Sequence, residues 1–325
     1  MQAFEYASPT SLQQALSLLG SKWGEADVLA GGTDQISLMK DYVHTPKRVV
    51  NIKGIRELHG LRRNAQGVTI GATTTFDELA SDRSITAEYP SLVTAVMGVA
   101  SPQIRNMGTV GGDLCQRPRC WYFRQGFGLF ALKDGKSLVP NGRNQYHAIF
   151  GGGPAYFVSA SSLGPALIAL GAKVKLMSAS GSRVVPVEKF FVNPQSEEER
   201  EIALMPNEIL TEIQLPAARG VRNTTYEIRQ KDAMDWPLAT ASVALQMNGT
   251  SVGKATIVLG HVATTPWAAT EASNALNGKS LGEDTIEQAA KSAVANAKPL
   301  SENGYKVQLA RVAVKRALME AAGRA

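Results

Sequence analysis

The chain has 325 residues, is 44% hydrophobic and 19% charged, and carries a formal net charge of +6. This is the composition of a globular protein with room for two or three domains, not of a disordered or fibrous one. The densest basic group, Arg105, Arg117, Arg119 and Arg124, is no stripe with aromatic platforms, so a phosphate-bearing cofactor or an acidic protein is expected rather than nucleic acid.

Two cysteines, Cys115 and Cys120, give no disulfide framework. The histidines at 44, 59, 147 and 261 have no metal-ligand spacing. The first residues lack a basic n-region and an apolar h-region, so no signal peptide is expected. The uncharged run 148–172 is diluted by Gly151, Gly152, Gly153 and Pro154 and reads as turn, strand and helix start, not as a membrane span.

In chain order, Ser8-Pro9-Thr10-Ser11 caps a helix that starts at Leu12 and ends at Gly20. Asp27-Val28-Leu29-Ala30 is a short strand running into Gly31-Gly32-Thr33-Asp34, and Arg48–Ile52 is a second strand. Residues 1–57 thus form a first small α/β unit. Gly67–Ala72 is a strand, Thr75-Phe76-Asp77-Glu78-Leu79 begins a helix with Thr75 or its neighbour as cap, and Ser91–Gly98 is another helix. Then comes Arg105-Asn106-Met107-Gly108-Thr109-Val110-Gly111-Gly112-Asp113-Leu114.

Both glycine stretches set a glycine pair beside Thr and Asp. Such a pair lets the main chain approach a ligand and allows φ > 0. Neighbouring N–H groups can converge on a pyrophosphate, and the aspartate can accept from ribose hydroxyls. The bland alternative is a pair of tight turns.

Residues 116–145 are irregular, and Trp121, Tyr122, Phe123, Phe127 and Phe130 read as local core. Ala155–Val158, Lys173–Met177, Arg183–Val187 and Glu208–Pro216 read as strands, Leu163–Leu170 as a helix, and Ser196–Glu201 as a solvated acidic loop. Ala217–Gly220 is a linker closing a second unit, 58–218. The remainder, 222–325, holds strands at Thr224–Arg229, Ala239–Met247 and Lys254–Leu259, with a hairpin at Asn248-Gly249, then helices at Leu281–Ala297 and Tyr305–Ala322. The fold class is α+β.

Four segments occur in an order and spacing that resemble the FAD-binding medium subunits of molybdenum hydroxylases: Ala30–Asp34, Ser101–Asn106, Gly108–Leu114 and Asp235-Trp236-Pro237. Carbon monoxide dehydrogenases, xanthine dehydrogenases and bacterial aldehyde oxidoreductases belong to that family. The resemblance covers essentially the whole chain. It implies a vanillyl-alcohol-oxidase-type (PCMH) FAD-binding domain followed by a small α+β domain with a three-stranded antiparallel sheet plus helices. By resemblance, Val28, Leu29, Ala30, Gly31, Gly32, Thr33, Asp34 and Gln35 would wrap the FAD pyrophosphate from one side. Thr109, Val110, Gly111, Gly112 and Asp113 would wrap it from the other. Val99 and Leu210 match apolar positions lining the cofactor. Ser162 stands where many relatives carry an aspartate at the flavin nucleotide, and Glu227 stands where eukaryotic-type enzymes carry a lysine near the flavin.

Cys115–Phe123 resembles the periplasmic-type aldehyde oxidoreductase branch, in which an insertion, here at about 115–150, carries four cysteines for a 4Fe–4S cluster. Only Cys120 matches such a position; the others fall at Leu129, around Ser137-Leu138, and at Ala155. A cubane needs four ligands, so no iron–sulfur cluster is expected in this chain. Arg117, Arg119 and Arg124 would lower the pKa of a nearby thiol.

The function implied is electron transfer: electrons arrive from 2Fe–2S clusters in a small subunit, pass FAD, and leave to an external acceptor. The substrate chemistry, at a molybdopterin, would sit on a large subunit. The alternative is a flavin-poor scaffold subunit of the same type of complex; a free-standing flavin oxidase is a third reading. Cytoplasm is the expected compartment, with the periplasm, reached by co-export with a partner subunit, as the alternative.

Overall fold

The computed structural model describes residues 1–324. Its first sheet is parallel, in the order Glu5–Ala7, Arg48–Asn51, Ala26–Leu29. Parallel neighbours need crossover connections, and helices Leu12–Ser17 and Gln35–Lys40 provide them. Ser11 caps the first, accepting from the Gln14 N–H at 3.3 Å. Ala15, Leu16, Val50 and Ile52 form this layer's core together with Ile209 from a later strand.

A second sheet is antiparallel and five-stranded, in the order Leu61–Asn64, Gly67–Gly71, Ile209–Pro216, Lys173–Ser178, Gly181–Pro186. The strand Ile209–Pro216 is central because its alternating apolar residues Ile209, Ile213 and Leu215 are buried. Helix Phe76–Ser81 starts at a capping box, in which Thr75 accepts from Glu78 N–H and Glu78 from Thr75 N–H. It packs with helices Pro90–Met97 and Gly164–Ala169 on the same core as this sheet. Each fully buried Leu or Phe there contributes roughly 1.5–3 kcal/mol.

The last sheet runs Val221–Ile228, Ala239–Asn248, Ser251–Gly260, Trp267–Ala268, all antiparallel. The short fourth strand adds to the three expected. Gly249, at φ 61, makes the hairpin turn as Asn-Gly sequences do. Helices Thr270–Leu276, Glu283–Ser292 and Tyr305–Ala321 close this sheet's core.

Two expectations fail. Ala155–Val158 is extended but joins no ladder; it is tied by Ala148 N–H to Tyr156 O (2.9 Å) and by Ser159 N–H to Ala263 O (2.8 Å). The reason is Phe157, which packs with Leu38, Phe123, Leu129, Phe130 and Ala155 in a small separate core of the insertion. The segment Ser196–Glu201 is not simply solvated. Glu197 accepts from the Leu129 and Phe130 N–H groups at 2.7 and 2.8 Å, and Glu201, buried, pairs with Arg117 at 2.5 Å.

The insertion is also tied to the last domain. Asn144, wholly buried, donates to Val139 O (3.1 Å) and Ser301 Oγ (2.9 Å) and accepts from Glu302 N–H (2.9 Å). The buried Lys306 ammonium donates to the carbonyls of His147 (3.2 Å) and His261 (2.6 Å). No described helix is long and apolar enough to cross a membrane.

Candidate functional site

A cleft of about 370 Å³ opens where the first sheet meets the second. The strand Ala26–Leu29 ends at its wall, and the chain turns through Gly31 and Gly32 into helix Gln35–Lys40. Both glycines are needed there. Gly32 has φ 73, a left-handed conformation that side chains resist. A Cβ on Gly31 would collide with the Met107 carbonyl oxygen. The N–H groups of Gly31, Gly32, Thr33 and Asp34 all border the cleft and find no protein acceptor among the described residues. Consecutive free amides of this kind form an anion-binding concavity.

The second glycine stretch is built differently. It is no left-handed turn: Val110–Cys115 is one short helix capped by Thr109, whose hydroxyl accepts from Gly112 N–H at 3.1 Å. Val110 N–H donates to Thr74 O, Gly111 N–H to Ala72 O and Asp113 N–H to Thr109 O, each at 2.9 Å. These four amides are therefore bonded within the protein, which leaves the Thr109 N–H as the one amide of Thr109–Asp113 with no acceptor among the described residues. A Cβ on Gly111 would press on Ala72, so that glycine serves close packing. At Gly112, which borders the cleft, an added Cβ meets one atom, the capping Thr109 Oγ1, at 2.9 Å, so a side chain there disturbs the helix cap.

The two aspartates face protein groups instead of open solvent. Asp34 accepts from Arg117 N–H (2.9 Å) and pairs with Arg119 (3.1 Å) and Arg124 (2.7 Å), which anchors the insertion to the first glycine turn. Asp113, wholly buried, accepts from Ser161 Oγ–H (2.5 Å), Ser162 N–H (3.2 Å) and Leu163 N–H (3.0 Å). Burial pushes its carboxyl above the usual range against those hydrogen bonds.

All the residues expected at the cofactor border this one cleft except three. Leu29 is not part of the wall; it lies against Gly32 at the strand end. Val110 is buried in the second core. Glu227 is buried beneath Gly98 and paired with Arg229, and burial raises its pKa.

The cleft has a further end that spacing did not reveal. Trp23, Asp27, His44, Arg117 and Arg200 line it. His44 Nδ1 lies 3.5 Å from Asp27, which also accepts from Gln35 at 2.8 Å. Burial lowers the pKa of His44 below its usual value, against the pull of the Asp27 carboxylate. At the mouth, Met234 and Trp236 sit over the cleft, and Arg119 stacks on Trp236 at 4.6 Å. The available signal for Trp23 was an aromatic just ahead of the strand that feeds the glycine turn. None marked Arg200, whose neighbours Trp23, Asp27 and Arg117 are remote in sequence.

The thiols do not behave as the nearby arginines would imply. Burial pushes Cys115 up to about 12 and raises Cys120 as well, because desolvation outweighs the guanidinium charges. Cys120 Sγ lies 3.2 Å from His147 Nε2, against the insertion core. That core includes Leu129 and Ala155, two of the positions at which the resemblance implies cluster cysteines, so apolar side chains fill the space there.

Comparison with known proteins follows the same lines. The profile for the FAD binding domain in molybdopterin dehydrogenase matches residues 2–218, and that for the CO dehydrogenase flavoprotein C-terminal domain matches residues 224–321. The chain is 30% identical to the carbon monoxide dehydrogenase medium chain of Hydrogenophaga pseudoflava, over 97% of this chain and 96% of that one. It is 28% identical to the aldehyde oxidoreductase FAD-binding subunit PaoB of Escherichia coli, over the full length of both. The solved structure of carbon monoxide dehydrogenase from Hydrogenophaga pseudoflava superposes with a TM-score of 0.78, covering 99% of this chain and 98% of that chain. With a glycine turn of free amides at the head of a cleft and the two family matches spanning residues 2–218 and 224–321, the chain belongs to the FAD-binding subunits of the molybdopterin dehydrogenases.

Proposed function

We propose that this chain holds one FAD, without covalent attachment, in the cleft between its first two sheets. On this reading it serves as the flavin-bearing medium subunit of a molybdenum hydroxylase. The observation that carries the reading is the run of four free amides at Gly31–Asp34, a cradle that a Cβ at Gly31 would destroy. When bound, FAD supplies reversible electron transfer, so no side-chain nucleophile or acid–base dyad is required of the protein.

The residues then divide the work. The Gly31–Asp34 amides bind the pyrophosphate, and the Thr33 hydroxyl is a further donor beside them. Val99 and Leu210 cover ring surface with apolar area. Gly112 leaves room where a side chain would intrude. Asp34 fixes the insertion rather than the ribose. Asp113 fixes the turn at Ser161–Leu163 and so presents Ser162 to the cleft. Val28, Ala30, Gln35, Thr109 and Gly111 shape the remaining wall.

The division into units 1–57, 58–218 and 222–325 is part of the same proposal, supported by the largely separate apolar cores. The partners are a large molybdopterin-binding subunit and a small 2Fe–2S subunit. The compartment we assign is the cytoplasm, with the periplasm, reached by co-export with a partner subunit, as the alternative. Acid precipitation of the purified chain tests the first step. Flavin should appear in the supernatant, and flavin retained in the pellet, or none at all, would refute the proposal.

A further inference from the structure

Most of the guanidinium groups around the cleft are answered. Arg117 has Glu201 at 2.5 Å, Arg119 and Arg124 share Asp34, and Arg183 has Glu208 at 2.7 Å. Arg200 is the exception. It lines the cleft, and among the described residues its guanidinium has neither a carboxylate within ion-pair distance nor a hydrogen-bond acceptor. It lies over the Trp23 ring, 3.9 Å from the centroid. Burial, and then the charge of Arg117, pull its pKa down to about 10, while Glu201 and Asp27 act against this from beyond ion-pair distance.

Hydrogen bonds set this cation beside the first glycine turn. Asp27, which feels the Arg200 charge, accepts from the Gln35 side chain at 2.8 Å, and Gln35 opens the helix that follows Gly31–Asp34. The Arg117 N–H donates to Asp34 at 2.9 Å, and the Arg117 guanidinium lies 3.0 Å from the ring of His44, itself 3.5 Å from Asp27. Arg200 and the four free amides therefore line the same region of one cleft. The charges there do not balance. Asp34 is shared by two arginines, Glu201 is taken by Arg117, and Asp27 faces His44 and Gln35. Arg117, Arg119, Arg124 and Arg200 thus stand against the carboxylates of Asp27, Asp34 and Glu201, four cations to three anions. An unanswered, recessed cation costs free energy unless a ligand completes it.

We infer that Arg200 completes the anion site begun by the Gly31–Asp34 amides: its guanidinium supplies the net charge that the amides lack and binds a phosphoryl group seated on that turn. The inference deepens the reading of the cleft as an FAD site and rests on it for the identity of the phosphoryl group as the FAD diphosphate. The amides offer directed dipoles with no net charge. A guanidinium offers a planar fork of donors that matches two phosphoryl oxygens at once. The Trp23 face holds that plane in place while the site is empty. Arg200 is thus a ligand-binding cation kept at a cost to the empty chain.

Calorimetry of the full flavin-free chain with inorganic pyrophosphate tests this, alongside FAD binding and a thermal melt. Pyrophosphate should bind the wild type and compete with FAD. Arg200→Gln should bind it at least about tenfold more weakly, as for a lost charge-assisted hydrogen bond. Arg200→Lys, which keeps the charge and loses the fork, should recover part of that loss. With no ligand added, Arg200→Gln should melt no lower than the parent, because an unanswered cation has been removed. An arginine that only supports the fold would lower the melt as well. The inference is overturned by an Arg200→Gln chain that fails to fold or melts lower, by parental pyrophosphate affinity in that variant, by a lysine variant that recovers nothing, or by a wild type that binds no pyrophosphate. Pyrophosphate binding that depends on Arg200, in a chain that takes up no FAD, supports the anion site and overturns the FAD reading. An FAD-replete Arg200→Gln chain with parental pyrophosphate affinity overturns the inference alone.

Discussion

Gly31 and Gly112 are both glycines of the cleft wall, yet substitution should expose opposite roles. A side chain at Gly31 must push the Met107 carbonyl aside, so Gly31→Val is expected to lower thermal stability as well as flavin content. At Gly112 the backbone is not left-handed and a side chain crowds one group, the capping Thr109 hydroxyl, so the cost is confined to that cap. Gly112→Val should still fold, with stability lower by about 1 kcal/mol for the disturbed cap, and carry little FAD, its branched side chain standing in the cleft. Absorbance at the flavin bands alongside a thermal melt separates the two. A flavin-replete Gly112→Val chain would show that this face is not against the cofactor.

At the scale of elements, the insertion is the part that departs from its resemblance. Its positions at Cys120, Leu129 and Ala155 share one apolar core, packed by Phe123, Phe130 and Phe157. A chain with two cysteines cannot supply four thiolates. Iron analysis and low-temperature EPR of reduced, anaerobically purified chain should therefore find no cluster; near four irons per chain would contradict this. Much of the rest was legible in local chemistry. Ser11 and Thr75 announced their helices as caps, and Asn248-Gly249 its hairpin, because these devices act within four residues. What stayed illegible depends on distant partners. Glu201 meets Arg117 only after the sheets assemble, so a run of charge read as a solvated loop. The second glycine pair looked like the first in sequence. Yet its amides are taken by Ala72, Thr74 and Thr109, and no spacing rule reports that. Ala155–Val158 has a strand's composition, but Phe157 packs into the insertion core and the segment joins no ladder.

For the whole molecule, the buried histidines set the acid limit. Burial, reinforced by Lys306, pulls His147 down to about 4 and His261 down to about 3, and burial also lowers His44. Unfolded histidine titrates near ~6.5. Each group therefore contributes stability that is complete above that value and is lost as pH falls toward the folded pKa, because the unfolded chain binds the extra protons. Asp113 and Glu227, whose pKa values are raised, oppose this over part of the same range. The unfolding free energy read from urea titrations should therefore drop between about pH 6.5 and 4, with His147 and His261 contributing on the order of 2 kcal/mol or more each. His261 has φ 61 and hydrogen-bonds Thr240 at 3.1 Å through Nδ1. Asparagine tolerates that backbone, so His261→Asn should flatten the acid limb. An unchanged limb would place the proton uptake elsewhere.

The free amides of Gly31–Asp34 have one more consequence, in the time domain. A peptide hydrogen with no acceptor exchanges with solvent whether or not the surrounding sheets stay closed. In the flavin-free chain these four positions should take up deuterium early, while Val110, Gly111, Gly112 and Asp113, bonded within the protein, exchange slowly. Added FAD should slow the first set by at least an order of magnitude and leave the second almost unchanged. Exchange mass spectrometry at peptide resolution would then read which of two look-alike glycine stretches touches phosphate. Equal protection of both on adding FAD would contradict the assignment.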